Sequence, residues 1–119
     1  MALDHYVSQV HLKNFNSPAL DGLIHAIRKS DLKHSPTRSA DVCRIEVHNT
    51  NPYLSEPRAI EDFLKDVEPK YNASLTKLRE SRIDQDCIHC VAGFIAFVLT
   101  CSPAGMRINS GPLKRAAEA

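Results

Sequence analysis

Three histidines and a glutamate are the side chains whose chemistry could support catalysis or metal binding. His5 and His11 lie near the N-terminus, and Glu46 and His48 lie two residues apart further along the chain. Imidazole nitrogens and carboxylates bind divalent metals and act as acid–base pairs. The four residues show no H-E-x-x-H or H-x-H spacing, and His5 and His11 would point roughly 120° apart on one continuous helix. A metal-dependent hydrolase or nuclease that uses these residues is one hypothesis.

A second candidate is the C-x-x-C spacing of Cys87 and Cys90. At the start of a helix such thiols can be redox-active, because the helix dipole stabilises a thiolate. However, a charged linker rather than a strand precedes them, and no second C-x-x-C offers two more zinc ligands. Cys90 also shares a helical stripe with Phe94, Phe97 and Cys101, which is typical of core-filling side chains. We predict interior thiols and no cofactor, with redox and metal roles as alternatives.

Basic side chains cluster between His25 and Arg44, in the loop between the two predicted strands and within the strands themselves. They are Arg28, Lys29, Lys33, Arg38 and Arg44. With Asp31 and Asp41 included, five positive and two negative charges leave a net +3. Such a loop could contact phosphates or an acidic partner surface. It contains no aromatic side chain that could stack on bases, so nucleic-acid contact is an alternative rather than the main hypothesis.

The element that must position these groups is the long apolar run at residues 84–100. Asp84 or Asp86 can cap a helix there, and Ser102-Pro103 can end it. About 15 apolar-rich residues are too many for a strand and too few to span a bilayer, so we predict a soluble-core helix buried on most sides. The stripe opposite the thiols predicts either a solvent face or a close helix contact, and a homodimer seam there is an alternative. Its residues are Gln85, His89, Gly93, Ala96 and Thr100.

The remaining patterns predict short elements around this helix. Ser8 can cap a short helix through Asn14, with His5 in an extended segment before it. Residues 23–28 and the alternating run 42–48 predict two strands that pair antiparallel across the polar loop 30–40. A helical stripe over residues 60–78 continues through Pro69, which predicts a kink and an αα-hairpin with the central helix.

A loose turn should follow Pro103, and a short, frayed last helix should start at Pro112. The expected fold is α+β and mostly helical, a single domain over residues 1–119. Its central helix belongs to the αα-hairpin, and the two-stranded antiparallel element packs on it.

Composition narrows the function classes. The chain has 15 basic and 14 acidic residues, a formal charge of +1, whereas a salt-driven nucleic-acid binder is normally far more basic. No secretory signal pattern opens the sequence and no run is long enough for a membrane span, so we expect a cytoplasmic protein with reduced thiols and no membrane association.

The opening segment DHYVSQVHLKNF resembles the N-terminal signature of a bacterial family known as domain of unknown function 4238 (DUF4238). The matching residues are His5, Tyr6, Val7, Gln9, Leu12 and Phe15, with Ser8 where proline is usual. The similarity continues through Cys43 and Glu46, the 60–78 segment with Glu61 and Glu68, and residues 88–107. Because family members generally run longer, the resemblance implies a short form that lacks the C-terminal part. It also implies a bacterial or phage origin and adds weight to His5 and Glu46, but it assigns no reaction.

Ordinary charge and the lack of a catalytic spacing favour a small non-enzymatic interaction protein. It would be a regulator, inhibitor or adaptor that binds a protein partner, and a phage or mobile-element inhibitor of a host complex fits this class. The hydrolase built on His5, His11, Glu46 or His48 is the first alternative. Nucleic-acid contact through the loop at residues 28–44 is the second.

Overall fold

The computed structural model describes residues 3–46 and 55–119 of a mostly helical α+β fold. The helices are α1 (Gln9–Leu12), α2 (Ala59–Val67), α3 (Tyr71–Arg79), α4 (Gln85–Cys101) and α5 (Pro103–Glu118). The strands are β1 (Leu3–His5), β2 (Ile24–Ile27), β3 (His34–Thr37) and β4 (Arg44–Glu46), which form two small antiparallel sheets. The predicted fold class is confirmed.

Helix α4 begins and ends where its local signals predict. The Asp84 carboxylate caps it by accepting a hydrogen bond from the Cys87 amide at 2.8 Å, which satisfies one of the free N–H groups of the first turn. The helix stops at Cys101, directly before Ser102-Pro103. Across the short link at residues 80–84, α3 packs against α4 as the other arm of the αα-hairpin.

Pro69 lies in a single 3₁₀ turn, Glu68–Lys70, that joins α2 directly to α3. Proline has no N–H and would leave a gap in the hydrogen bonds of a continuous α-helix. It is tolerated at the start of such a turn, where the N–H would have no partner. The apolar stripe keeps its phase, since Val67 before the turn and Tyr71 after it are both buried. The predicted kink, rather than a loop, is confirmed.

The core lies between α2–α3 and one face of α4. Its central residues are Val67, Tyr71, Cys90 and Phe94, and Val7, Val10, Leu75 and Val98 pack around them. Full burial of an aliphatic or aromatic side chain contributes about 1.5–3 kcal/mol, so this cluster holds the N-terminal segment against the hairpin. The short helix predicted after Ser8 forms, but it ends at Leu12 and continues as a 3₁₀ turn at Lys13–Phe15, and the Ser8 hydroxyl does not cap it. Leu12 is buried.

The predicted strand pairing is wrong. Strand β2 pairs with β3, a neighbour in sequence, with Ile24 opposite Thr37 and Ile27 opposite His34. Strand β3 was not predicted because its sequence is polar. A two-stranded ribbon with one face in solvent does not need apolar alternation on both strands. Local pairing also closes a short loop, which costs less chain entropy than the predicted longer one.

Strand β4 pairs instead with β1, which places Glu46 opposite Leu3 and Arg44 opposite His5. The alternation predicted over residues 42–48 is interrupted at Cys43, whose φ is +55°. This left-handed conformation ends the extended backbone before β4, while the Cys43 carbonyl accepts a hydrogen bond from the Tyr6 amide at 2.8 Å. Val47 and His48 lie outside the described residues.

The loose turn predicted after Pro103 is also wrong, because α5 starts at Pro103 and contains Pro112. Pro103 begins the helix, where its missing N–H costs nothing, and the Ser102 hydroxyl caps it by accepting from the Gly105 amide at 3.1 Å. A Cβ at Gly105 would overlap the Leu99 carbonyl oxygen. Glycine therefore permits the close approach at the 59° bend between α4 and α5.

Helix α4 is not buried on most sides, as its apolar sequence predicted. Cys87, Cys90, Phe94 and Phe97 form the buried stripe. The opposite side carries apolar residues too, and these are exposed: Ile88 is 56% exposed, Ile95 51% and Leu99 66%. Hydropathy alone could not separate the two faces, because both are apolar.

Candidate functional site

A small polar pocket lies where β1 and α1 meet α2. It has a volume of about 190 Å³, and the residues that line it are Leu3, Asp4, His5, Gln9, Val10, Glu61, Leu64 and Glu68. The lining thus contains three carboxylates, one imidazole and one carboxamide together with three aliphatic side chains. This arrangement can accept hydrogen bonds from a small ligand or an amine.

An ion pair between the buried Asp4 and the exposed Arg58 lies at one wall of this pocket. Asp4 is 8% exposed, and both of its carboxylate oxygens accept from the Arg58 guanidinium, at 3.1 and 3.2 Å. Glu61 lies 3.5 Å from the same guanidinium. The hydrogen bond to Asp4 raises the pKa of Arg58 further above its usual value. Sequence reasoning missed this pair, because its partners are 54 residues apart and no local pattern marks either one.

Of the predicted histidine–glutamate cluster, the structure describes the side chains of His5 and His11, and these two lie in different environments. His5 lines the polar pocket, and its Nε2 is buried without a hydrogen-bond partner. Glu46 belongs to the strand paired with that of His5, and His48 lies outside the described residues. Among residues 3–46 and 55–119, no three His, Cys, Asp or Glu side chains are placed to share a metal ion.

His11 lies apart from this pocket, in the aromatic part of the core. Its Nδ1 is 2.6 Å from the Tyr71 hydroxyl, and its ring packs on the edges of Phe15 and Tyr71 and tilts against Phe94. Burial lowers the pKa of His11 below its ordinary value. His11 is therefore a neutral, packed side chain at neutral pH.

We expect His11 to make stability depend on pH below about 6.5, the ordinary histidine pKa. The unfolded chain takes up a proton there before the folded chain does, so stability decreases as the pH falls from the ordinary value toward the lowered folded-state value. Urea denaturation at pH 7.5 and 5.5 should show a smaller pH-dependent loss in His11→Gln than in the wild type.

Tyr71→Phe is the matched control for this measurement. It removes the hydrogen bond to His11 but leaves the burial that lowers the pKa, so it should retain the pH dependence of the wild type. An unchanged pH dependence in His11→Gln would contradict the assignment.

The Cys87 and Cys90 thiols fill the core, as predicted. They are 0% and 1% exposed, and they donate hydrogen bonds to the carbonyl oxygens of Ser74 and Val67 at 3.3 and 3.4 Å. Both thiols thus point at the backbone of the facing arm of the hairpin. Cys101, assigned to the same stripe, is the last residue of α4 and is only partly buried.

The five basic residues lie along the β2–β3 hairpin and the segment that follows it, and all are exposed. Arg28 pairs with Asp31 at 3.3 Å, and Asp41 pairs with both Arg38 and Arg44, at 2.6 and 3.3 Å. Such surface ion pairs are weak, so they do not prevent contact with an anion. The two aspartates are nevertheless interspersed among the basic side chains, so the positive charge is not concentrated in one patch.

The small-residue stripe on α4 makes a close contact within the chain. A Cβ at Gly93 would lie 2.8 Å from the Phe63 ring, so the glycine lets α2 approach α4. The sequence left open a helix contact or a solvent face for this stripe. The helix contact is confirmed at Gly93, and the solvent face is confirmed at the exposed Gln85, His89, Ala96 and Thr100. A homodimer interface on the stripe stays a prediction.

The exposed apolar side chains of α4 form a second surface, which we call the α4 seam: Ile88, Ala92, Ile95 and Leu99. They are separated by four, three and four residues, the spacing of core positions in a coiled coil. No charged residue occurs between Cys87 and Cys101. An apolar pocket of about 280 Å³ adjoins the seam, lined by Val7, His11, Phe94, Ile95, Val98 and Leu99.

Within the described parts of the chain, no helix alone is long and apolar enough to cross a membrane. Helices α4 and α5 meet that criterion only when they are taken together, and they bend by 59° between them.

The fold is that of a small, mostly helical α+β protein, and its described residues include a polar pocket and an exposed apolar face on α4. The DUF4238 family, described as a protein of unknown function, matches residues 4–106. The chain belongs to this family. No curated protein and no solved structure matches it.

Proposed function

We propose that the protein is a small non-enzymatic interaction protein that binds a helix of a partner protein on its α4 seam. The observation that carries this proposal is the exposure of Ile88, Ile95 and Leu99 on the part of α4 between Cys87 and Cys101, which has no charged residue. A surface of large apolar side chains at coiled-coil spacing is suited to an amphipathic helix laid along it.

The seam alone provides too little free energy for binding. Burying the remaining exposed half of three aliphatic side chains contributes roughly 1 kcal/mol each, whereas association costs about 4 kcal/mol or more. The adjoining pocket of about 280 Å³ can supply the rest by accepting a large apolar side chain. The partner helix should therefore carry a Leu or Phe anchor beside its own apolar seam.

The basic side chains of α5 indicate which residues should flank the apolar face of the partner helix. The charged side chains of α5, which follows α4 across the bend, are mainly basic: Arg107 lies near the bend, and Lys114 and Arg115 lie near the C-terminal end of the helix together with Glu118. An acidic segment at one end of the partner would be complementary to them and would speed association. The occupant that we propose is thus an amphipathic helix with an apolar seam, a large anchor and acidic flanking residues.

The hydrolase alternative has less support. Its two N-terminal histidines lie in different places, His5 in the polar pocket and His11 in the aromatic core. A shared catalytic or metal-binding role needs side chains within hydrogen-bond or ligand distance of one reacting atom.

A synthetic helical peptide tests the interaction directly. The probe is a fluorescent peptide of three heptads with Leu at the seam positions and Glu at the flanking positions (the Glu peptide). A second peptide, the Lys peptide, has Lys in place of each Glu. Fluorescence anisotropy should show binding of the Glu peptide to the wild type and at least tenfold weaker binding of the Lys peptide. The double variant Ile95→Ser/Leu99→Ser should weaken binding of the Glu peptide at least tenfold.

Ile83→Ser is the matched control, because Ile83 is 56% exposed outside the seam, and it should bind like the wild type. Circular dichroism verifies that each variant is folded. Equal binding by the seam variant, or no binding by the wild type, would overturn the proposal. A wild-type dimer that the seam substitutions dissociate would replace the partner helix with a second copy. Seam-dependent binding to anionic lipid vesicles would replace it with a membrane surface.

A further inference from the structure

We propose that His25 and His34 form a surface site for a divalent transition-metal ion such as Ni²⁺ or Cu²⁺. The Nδ1 atom of His25 lies 2.6 Å from the Nε2 atom of His34. Neither residue belongs to the polar pocket or to the α4 seam, so the site is independent of the proposed function.

The hairpin register brings the two rings together. His25 lies opposite Pro36, and His34 lies opposite Ile27, which makes the histidines diagonal neighbours on the same face of the ribbon. Diagonal partners across an antiparallel pair are within reach of long or aromatic side chains. This face is solvent-exposed at His25, Ile27, His34 and Pro36, so a hydrated ion can reach both nitrogens.

The rings meet at their edges, nitrogen to nitrogen. Their centroids are 4.7 Å apart and their planes differ by 22°. With 2.6 Å between the two nitrogens, most of the centroid separation is accounted for by the two ring radii and this single contact. Both imidazoles thus direct a nitrogen at the same small space, and the hydrogen bond between them needs one proton.

A metal ion can replace that proton after a small movement. Metal–imidazole bonds of about 2.0–2.1 Å place two ligand nitrogens roughly 2.9 Å apart at a right angle and about 3.3 Å apart in a tetrahedron. The pair must therefore open by about 0.3 Å for square-planar or octahedral ions and by roughly 0.7 Å for a tetrahedral one. Because both side chains are exposed, rotation about their side-chain bonds provides this movement and turns the lone pairs toward a common point.

The geometry and the ligand type set the preference among ions. Imidazole suits Cu²⁺, Ni²⁺ and Zn²⁺, and affinity for a given nitrogen site rises toward Cu²⁺ and is lower for Zn²⁺. The two nitrogens must also move apart less for Cu²⁺ and Ni²⁺, which bind ligands at right angles, than for a tetrahedral Zn²⁺, so the geometry favours the same order. Water completes the coordination, since among the described residues no third His, Cys, Asp or Glu joins the pair.

Isothermal titration calorimetry of untagged full-length protein with NiCl₂ tests the site. Ni²⁺ is the first probe because Cu²⁺ can oxidise the partly exposed thiols. The wild type should bind one Ni²⁺, and His25→Ala and His34→Ala should each weaken that binding at least tenfold. The double variant should lose little more than either single one, because both residues ligate the same ion.

His89→Ala is the matched control: its side chain is 64% exposed on α4, and the variant should bind Ni²⁺ like the wild type. Zn²⁺ should bind more weakly than Ni²⁺. Stoichiometric binding that survives in the double variant would overturn the proposal, and so would a loss in only one of the two single variants. Circular dichroism distinguishes a lost ligand from an unfolded hairpin.

Discussion

Replacing Phe94 with alanine should lower the free energy of unfolding by about 3–5 kcal/mol. Phe94 is 7% exposed, and its ring centroid lies 4.6 Å from that of Tyr71 and 5.3 Å from that of His11. The truncation would leave a cavity between the N-terminal segment and the helical hairpin. Because the rings around it are held by separate elements, the structure can collapse only partly into that space.

Ile95→Ala is the matched control, since it is the adjacent residue of the same helix and 51% exposed. It should cost less than about 1 kcal/mol, because exposed positions lose little apolar contact and alanine is an excellent helix former. Urea denaturation followed by circular dichroism measures both variants. Equal losses in the two variants would contradict the orientation of α4 in the core.

Cys87 and Cys90 should react with a thiol reagent at least about a thousandfold more slowly than Cys101 in the native protein. A buried thiol becomes reactive only when the structure opens, and domains with about 5–15 kcal/mol of stability open that rarely. Cys101 and Cys43 are partly exposed. Burial raises the pKa of the Cys43 thiol, so less thiolate is present and Cys101 should react first.

Labelling with 5,5′-dithiobis(2-nitrobenzoic acid), with the sites assigned by mass spectrometry, measures this order. The double variant Cys43→Ser/Cys101→Ser should lose the fast phase entirely and keep two slow thiols, which become fast in urea. Fast labelling of Cys87 or Cys90 without denaturant would contradict the core-filling role. It would also return the C-x-x-C spacing to consideration as a redox or metal motif.

Local signals predicted the helices well. An acidic cap, a Ser-Pro stop and the phase of the apolar stripe across Pro69 depend only on residues within a turn or two of one another. The α4 helix, the kink and the αα-hairpin were therefore predictable. The N-terminus of α5 has equally local signals, Ser102 followed by Pro103, but proline both ends one helix and begins the next, and only the first role was predicted.

The strand pairing and the polar pocket depend on distant residues. Asp4 and Arg58 form the ion pair in the pocket, yet neither has a neighbour in sequence that indicates the other. His5 and His11 are close in sequence, but the turn between β1 and α1 directs them to opposite environments. Residue types indicated that a histidine could matter in this segment, whereas its partners could not be predicted.

The sequence by itself determined where α4 begins and ends and that the C-x-x-C thiols are interior, because capping, proline stops and helical periodicity act over a few residues. Tertiary structure decided which of the two apolar faces of α4 is buried. Both faces satisfy the same hydrophobic pattern, and only the packing of α2 and α3 against Cys87, Cys90, Phe94 and Phe97 leaves Ile88, Ile95 and Leu99 exposed. The strand partners were decided in the same way, because pairing energy depends on which segments the folded helices bring together.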